Sequence, residues 1–269
     1  MHLPLLSLNS VSFSYGNGRI VLSGVNLDIS KGKFYAVIGR NGSGKSTLVN
    51  LLSGVIGNYS GEILFGGKNI KTLSSRTLAR HLSFIPQQTQ FFDMNIRVFD
   101  FLCLGRYPYK SFSDFSTGKE EKEIVNFALD MLSIVNLKDK FLYELSGGEK
   151  QKVILALAFV QLDCRNNLSD KILIVDEPLT YLDVNYQYDI FNVLTKLNKD
   201  KGLTVMTVIH DLNIALKYTD ETILLENGKI VSAGSTLDII TQDSLEKYFM
   251  IKSQILNFEN EYHINFIPN

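Results

Sequence analysis

The glycine-rich stretch GRNGSGKST, residues 39–47, has the residue types and the spacing of a phosphate-binding loop. Glycines let backbone N–H groups turn towards phosphate oxygens, and the helix that follows adds positive charge at its N-terminus. An apolar strand run before the loop and a helical run after it disfavour the alternative of a flexible Gly/Ser loop. The pattern therefore predicts nucleotide binding by Gly39, Arg40, Asn41, Gly42, Ser43, Gly44, Lys45, Ser46 and Thr47. Among these, Lys45 supplies a full positive charge and Ser46 offers a hydroxyl ligand for Mg²⁺.

Two carboxylates follow a second apolar run in the stretch ILIVDEP, residues 172–178. Four apolar residues predict a strand buried on both faces, and ligands of a parallel sheet bind where its strands end. Asp176 is predicted to hold Mg²⁺ through water, and Glu177 to polarise an attacking water molecule. A strand-end turn with incidental acids is the alternative, and pairing with the phosphate loop makes it the weaker one.

The stretch LSGGEKQ, residues 145–151, opens a run that reads as an amphipathic helix, yet it places two glycines in the first turn. Ser146 and Glu149 have the spacing of a capping box, which accounts for those two residues alone. Gly147 and Gly148 disfavour a helix, but they bare the backbone so that a phosphate can approach the helix N-terminus. The chain therefore carries a second predicted phosphate-binding helix end. One nucleotide needs one such loop, so the second is expected to face a nucleotide held by another copy of the chain.

The elements around these motifs predict an α/β chain. Short alternating or apolar runs fill the first quarter, and Gly66-Gly67 predicts a hairpin turn there. From about residue 96 to residue 160 the pattern is helical, which predicts an inserted helical lobe. Strand and helix then alternate as in parallel α/β sheets, and Asn227-Gly228 predicts a final hairpin.

Composition narrows the range of partners. The chain has 269 residues, 45% of them hydrophobic, and a formal net charge of -1, so neither nucleic acid nor an anionic membrane surface is predicted as a partner. Cys103 and Cys164 are far apart without metal-like spacing, which predicts buried thiols in a reducing compartment. The longest apolar run, residues 153–160, is too short to span a membrane. We therefore expect a cytoplasmic chain that cannot cross a bilayer itself.

The order of these motifs resembles the nucleotide-binding subunit of ABC-type ATPases over residues 8–234. The phosphate loop is followed by FIPQQ at residues 84–88, LSGGE, ILIVDEP and TVIHD at residues 207–211. The resemblance implies an ABC-type phosphate-loop NTPase with a RecA-like core sheet, an N-terminal antiparallel β subdomain and an inserted helical signature subdomain. It also implies one ATPase domain over residues 1–269. Its core would take residues 1–90 and 161–240, its helical subdomain residues 91–160 and its tail residues 241–269.

The resemblance implies ATP and Mg²⁺ as cofactors, and it implies a role for each matching residue. Two subunits of that family sandwich two ATP molecules, so Ser146, Gly147 and Gly148 would complete the partner's site. Tyr15 would stack on adenine, unless it is an ordinary strand aromatic. Gln87 would contact Mg²⁺ and the attacking water, although the neighbouring Gln88 could take that place. His210 would contact the γ-phosphate and position Glu177, and Asp183 would couple the two sites. The implied catalytic residues are Lys45, Gln87, Glu177 and His210, and the implied metal ligands are Ser46, Gln87 and Asp176.

GRYPY, residues 105–109, and the segment from residue 210 to residue 234 resemble ATPases of importers for iron-siderophores, haem or cobalamin. This narrower resemblance implies integral membrane permease subunits and a substrate-binding protein as partners, with the chain on the cytoplasmic face of the membrane. Leu179 departs from the family's threonine, and residues 164–171 form a longer link that we expect to be a surface loop. Residues 241–269 carry no motif and are expected to pack or to make a modest dimer contact.

Two other functions compete with transport. A soluble ABC ATPase could serve an assembly pathway such as iron-sulfur cluster biogenesis, with soluble partners in place of a permease. A phosphate-loop kinase could transfer phosphate to a small acceptor. The LSGGE stretch argues against the kinase, because a kinase has no use for a second phosphate-binding helix end.

Overall fold

A computed structural model of the chain describes residues 3–16, 18–87, 94–110, 118–177, 184–259 and 261–267. The chain forms two compact units, Met1–Leu73 with Val205–Asn269 and Ser74–Thr204. Within the described ranges, no helix is long and apolar enough to cross a membrane.

The first unit contains an antiparallel sheet of four strands, β1 (Leu6–Ser14), β2 (Ile20–Ile29), β4 (Ser60–Phe65) and β5 (Lys68–Asn69). Their order in the sheet is β2-β1-β4-β5. Gly66 and Gly67, both at positive φ, form the turn between β4 and β5, which confirms the predicted hairpin. This sheet is the predicted N-terminal antiparallel β subdomain.

The same unit contains the strands that lead to the phosphate loop. They are β3 (Phe34–Ile38), β8 (Thr204–Val208), β9 (Glu221–Glu226) and β10 (Lys229–Ser235), in the order β10-β9-β3-β8. All five residues of β3 are buried, and β3 is a central strand that pairs in parallel with β8 on one side and β9 on the other. Asn227 and Gly228 both have positive φ in the β9–β10 turn, as the predicted hairpin requires.

The remaining elements of the first unit are mostly helical. They are α1 (Lys45–Leu52), a 3₁₀ helix (Ile70–Thr72), α7 (Leu212–Tyr218), α8 (Thr236–Ile239), α9 (Gln242–Ser244) and a π-helical turn (Leu245–Phe249). The tail ends in an antiparallel hairpin of β11 (Lys252–Phe258) and β12 (Glu261–Ile267), which the sequence patterns did not predict.

The second unit is mainly helical, with a parallel pair of strands. The helices are α2 (Ser75–Ala79), α3 (Val98–Cys103), α4 (Lys119–Met131), α5 (Gly147–Leu162) and α6 (Val184–Lys201), and the strands are β6 (Leu82–Ile85) and β7 (Ile172–Asp176). Strands β6 and β7 pair in parallel, with Ile85 opposite Val175. Leu104–Tyr109 is a 3₁₀ helix that directly follows α3.

Two expectations for this unit were wrong in part. Helix α5 is not amphipathic beyond its first turns, because Val153, Ile154, Leu155 and Ala156 in succession are all buried. The 164–171 link is not wholly a surface loop, since its apolar Leu168 is fully buried.

The cysteine prediction holds for one of the two thiols. Cys164 is buried, and burial raises the pKa of its thiol to about 12, which makes it a poor nucleophile. Cys103 is only half-buried.

Candidate functional site

The phosphate loop connects a buried strand to the N-terminus of a helix. β3 ends at Ile38, and α1 begins at Lys45. Gly39 has a φ of +146°, and a Cβ built on it would lie 2.3 Å from the carbonyl oxygen of Leu225. Only glycine allows this close approach, so the first glycine of the motif brings the loop onto β9.

Polar groups inside this loop suit a phosphate ligand. Lys45 is 6% exposed, and its Nζ donates hydrogen bonds to the carbonyl oxygens of Gly39 at 2.8 Å and Arg40 at 3.2 Å. The Ser43 hydroxyl oxygen is buried and has no hydrogen-bond partner among the residues that the structure describes. An orphaned hydroxyl of this kind is usually explained by a ligand or water, and a phosphate oxygen fits it.

Gly228, which the sequence patterns did not indicate as a site residue, forms a hydrogen bond to the phosphate loop. The backbone N–H of Gly228, in the β9–β10 turn, donates to the carbonyl oxygen of Ser43 at 3.0 Å. The carbonyl oxygen of Gly228 accepts from the N–H of Ser23 at 2.9 Å. The Asn227-Gly228 pair indicated only a turn, and no local signal connects that turn with the phosphate loop.

Tyr15 lies at the edge of the same loop. Its side chain is 50% exposed, and its ring packs edge-on to Phe13 with centroids 4.8 Å apart. Its hydroxyl lies 3.5 Å from Oγ1 of Thr47. This placement connects Tyr15 with the predicted nucleotide site and leaves half of its side chain accessible for stacking.

In the second unit, the structure brings together the predicted base and Gln87. Nε2 of Gln87 donates a hydrogen bond to Oε2 of Glu177 at 2.6 Å. The parallel pairing of Ile85 with Val175 places the ends of β6 and β7 side by side, which explains how residues 90 positions apart meet. Glu177 has a φ of +53°, a conformation that is uncommon outside glycine and concentrates at functional sites.

Oxygen atoms make up the predicted Mg²⁺ ligands. Ser46 offers a hydroxyl, Asp176 a carboxylate, and Gln87 its amide oxygen, while its Nε2 already binds Glu177. This hard-donor set fits Mg²⁺, which is commonly held by one or two carboxylates together with substrate phosphates. Among the described ranges, no group of three or more His, Cys, Asp or Glu residues could hold a metal by itself.

The LSGGE helix begins with the predicted capping box. The Ser146 hydroxyl accepts from the N–H of Glu149 at 3.3 Å, and Oε2 of Glu149 accepts from the N–H of Ser146 at 2.8 Å. The hydrogen bond from the Ser146 backbone lowers the pKa of Glu149, and Lys140 contributes through an ion pair at 3.3 Å. A Cβ at Gly147 would meet nothing within 4 Å, so packing against described residues does not require glycine there.

Of the predicted site residues His210 and Asp183, the structure describes only His210. His210 is exposed, two residues after β8, and the side chain of Asp211 caps α7 by accepting from the N–H of Asn213 at 2.8 Å. Asp183, like Gln88 and Leu179, lies outside the described residues.

GRYPY divides into buried and exposed residues. A Cβ on Gly105 would lie 3.0 Å from the carbonyl oxygen of Leu157, so this glycine permits close packing on α5. Arg106 is 6% exposed and donates to the Val160 carbonyl oxygen at 3.0 Å, which caps the C-terminal end of α5. Tyr107 is 62% exposed, so the motif presents it on the surface of a well-packed segment.

Known proteins are similar to this chain in sequence and in fold. The ABC transporter family model matches residues 22–180. The iron(3+)-hydroxamate import ATP-binding protein FhuC of Bacillus subtilis (strain 168) is 32% identical over 251 residues, which cover 93% of this chain and 90% of that protein.

Two solved structures extend the comparison to the fold. One, described as an inward-facing conformation of an ABC transporter of the metal-chelate type, has a TM-score of 0.80 at 25% identity and covers 98% of this chain and 97% of its own. The other, a dimeric bacterial ABC transporter cassette, has a TM-score of 0.72 at 25% identity and covers 86% of this chain and 98% of its own. The chain therefore belongs to the ABC transporter family, as an ATP-binding subunit of the ATPase type.

Proposed function

We propose that this chain is the ATP-hydrolysing subunit of an importer for a ferric siderophore or a related metal chelate. The observation that carries the proposal is its similarity, over 93% of its length, to an iron(3+)-hydroxamate import ATP-binding protein. The similarity to a transporter described as metal-chelate type supports metal chelates as the class of cargo. Haem and cobalamin are also metal chelates. In this arrangement the cargo is selected by other chains, and this chain binds ATP alone.

The chemistry we propose uses this chain's side chains for positioning and electrostatics. Lys45 and the backbone N–H groups of the loop neutralise phosphate charge, and Tyr15 stacks on the adenine. Glu177, oriented by Gln87 and His210, accepts a proton from water as the water oxygen bonds to the γ-phosphorus and the bond to ADP breaks. Mg²⁺, held by Ser46, Asp176 and Gln87, would add further positive charge at the phosphates when bound.

We propose a head-to-tail dimer, in which Ser146, Gly147 and Gly148 of one copy complete the site of the other. The space beside Gly147 supports this, since a Cβ there would meet nothing within 4 Å and the residue adds no side chain at the helix N-terminus. Asp183 would couple the two sites. The whole chain would act as one ATPase domain on the cytoplasmic face of the membrane, bound through its permease and working with a substrate-binding protein.

Co-purification from detergent-solubilised membranes tests this function against the assembly ATPase. The expected result is recovery of a many-span membrane protein that raises ATP turnover by the chain. Recovery of soluble partners alone would contradict the importer and favour an assembly role. ATP-dependent phosphorylation of a small metabolite would favour a kinase instead.

Replacing Tyr15 with leucine is expected to weaken ATP binding by about two- to tenfold, the range that an aromatic stacking contact provides. Titration with a fluorescent ATP analogue measures the change. Tyr15→Phe is the matched control, because it keeps the ring and removes only the hydroxyl near Thr47. Equal losses in both variants would show that the hydroxyl contact, and not stacking, holds the nucleotide.

Replacing Tyr107 with serine is expected to reduce recovery of the membrane partner by at least about tenfold, because Tyr107 belongs to the GRYPY stretch that resembles importer ATPases, and tyrosine is enriched among interface hot spots. Tyr107 is 62% exposed, so its loss should leave folding and ATP-induced thermal stabilisation intact. Tyr186→Ser is the control, since Tyr186 is a 42% exposed tyrosine of the same unit. Undiminished recovery with the Tyr107 variant would show that Tyr107 does not contribute to binding of the membrane partner.

A further inference from the structure

The side chain of Asn213, in α7, binds the C-terminal hairpin. Oδ1 of Asn213 accepts from the backbone N–H of Ile264 at 2.7 Å, and Nδ2 donates to the Ile264 carbonyl oxygen at 3.5 Å. Asn213 thus engages both main-chain groups of one β12 residue, as a neighbouring strand would. Ile264 is 6% exposed, so this attachment lies in a buried part of the hairpin.

Asn213 is also part of the turn that follows His210. Its backbone N–H donates to Oδ1 of Asp211 at 2.8 Å, in the cap that begins α7. The side chain of Asn213 therefore holds β12 while its main chain holds Asp211. His210 precedes Asp211 directly, so a shift of the first turn of α7 would move His210 as well.

The segment before the hairpin contacts the phosphate loop. Met250 follows the π-helical turn with a φ of +59°, and its Sδ accepts a hydrogen bond from Nη1 of Arg40 at 3.5 Å.

Besides the hydrogen bonds of Asn213, an ion pair of Lys217 with Glu261 at 3.5 Å joins α7 to β12. This pair is largely exposed and is expected to contribute less than the partly buried hydrogen bonds of Asn213.

We propose that Asn213 is a positioning residue for ATP hydrolysis: by binding β12 to the start of α7, it fixes the main chain that carries His210. Asn213 does not touch the nucleotide. The inference rests on the proposed contact of His210 with the γ-phosphate, and it gives a role to the tail, for which no motif was found.

The test compares ATP and ADP binding by the purified full-length chain. Asn213→Ala is expected to lower the preference for ATP over ADP, and kcat, by about three- to tenfold, the effect of one lost hydrogen bond. ADP affinity should change less than twofold, because ADP lacks the γ-phosphate. Asn213→Asp keeps the acceptor for the Ile264 N–H and should recover most of the loss. Asn257→Ala, which removes an exposed asparagine of the same hairpin, should match the wild type.

A double mutant separates positioning from general stability. If Asn213 acts through His210, His210→Ala and His210→Ala/Asn213→Ala should have the same ATP preference. A further loss in the double mutant would overturn the proposal. So would equal losses of ATP and ADP affinity in Asn213→Ala, or no recovery in Asn213→Asp.

Hydrogen exchange distinguishes failure of this inference from failure of the proposed function. Asn213→Ala should accelerate amide exchange in residues 209–218, whereas Asn257→Ala should not. If His210→Ala keeps the wild-type ATP preference, the proposed role of His210 is wrong. In that case the exchange rates alone test whether Asn213 fixes the main chain at the start of α7. Unchanged exchange in Asn213→Ala would overturn the inference whatever the role of His210.

Discussion

Replacing Glu177 with glutamine is expected to lower kcat for ATP by at least about 100-fold, because the amide cannot accept the proton of the attacking water. Glutamine has nearly the same shape, and its amide oxygen can still accept the hydrogen bond that Gln87 donates at 2.6 Å. The variant should therefore bind ATP and dimerise without turning over. Phosphate release, nucleotide titration and light scattering measure the three properties.

Glu120→Gln is the matched control, since its side chain is 73% exposed and lies on α4. This control should hydrolyse ATP like the wild type. Normal hydrolysis by the Glu177 variant would refute its assignment as the base, and loss of ATP binding would show that the carboxylate is needed for nucleotide binding as well.

Replacing Gly228 with alanine is expected to lower kcat/KM for ATP by about 100-fold, although Gly228 belongs to no nucleotide motif. A Cβ there would lie 2.2 Å from the carbonyl oxygen of Val21, so the β9–β10 turn must shift. That turn donates the hydrogen bond to Ser43, and a displacement of about 1 Å in a positioning element can cost this factor. Steady-state ATPase kinetics measure the change.

Gly67→Ala separates backbone strain from displacement of the loop. Gly67 has a φ of +77° and Gly228 a φ of +76°, so alanine is strained equally at both, by about 1–2 kcal/mol. At Gly67 the nearest atom to a new Cβ is a side-chain carbon of Leu3 at 3.9 Å. The control should lose stability but keep its kinetics within about threefold, a change of less than 1 kcal/mol. Equal kinetic losses in both variants would refute the role of Gly228 in supporting the loop.

The fold class was predictable because each element carries its own pattern. The buried run of β3 and the glycine pairs at the two hairpins satisfy local backbone requirements, so composition and spacing predict them. Family resemblance then supplied the arrangement of subdomains. The amphipathic character of α5 was wrong, because the neighbours of a helix, which the sequence does not reveal, decide how much of its surface is buried.

The candidate site divides in the same way. The phosphate loop, the carboxylates after β7 and the capping box at Ser146 depend on hydrogen bonds and charges within a few residues, so their motifs can be recognised in the sequence. Three contacts become visible only in the fold: Gln87 donates to Glu177, Gly228 donates to Ser43, and Asn213 binds Ile264. Each of these contacts joins residues far apart in the chain. A backbone turn or an amide side chain carries no mark of its distant partner, so only the folded chain shows which atoms meet.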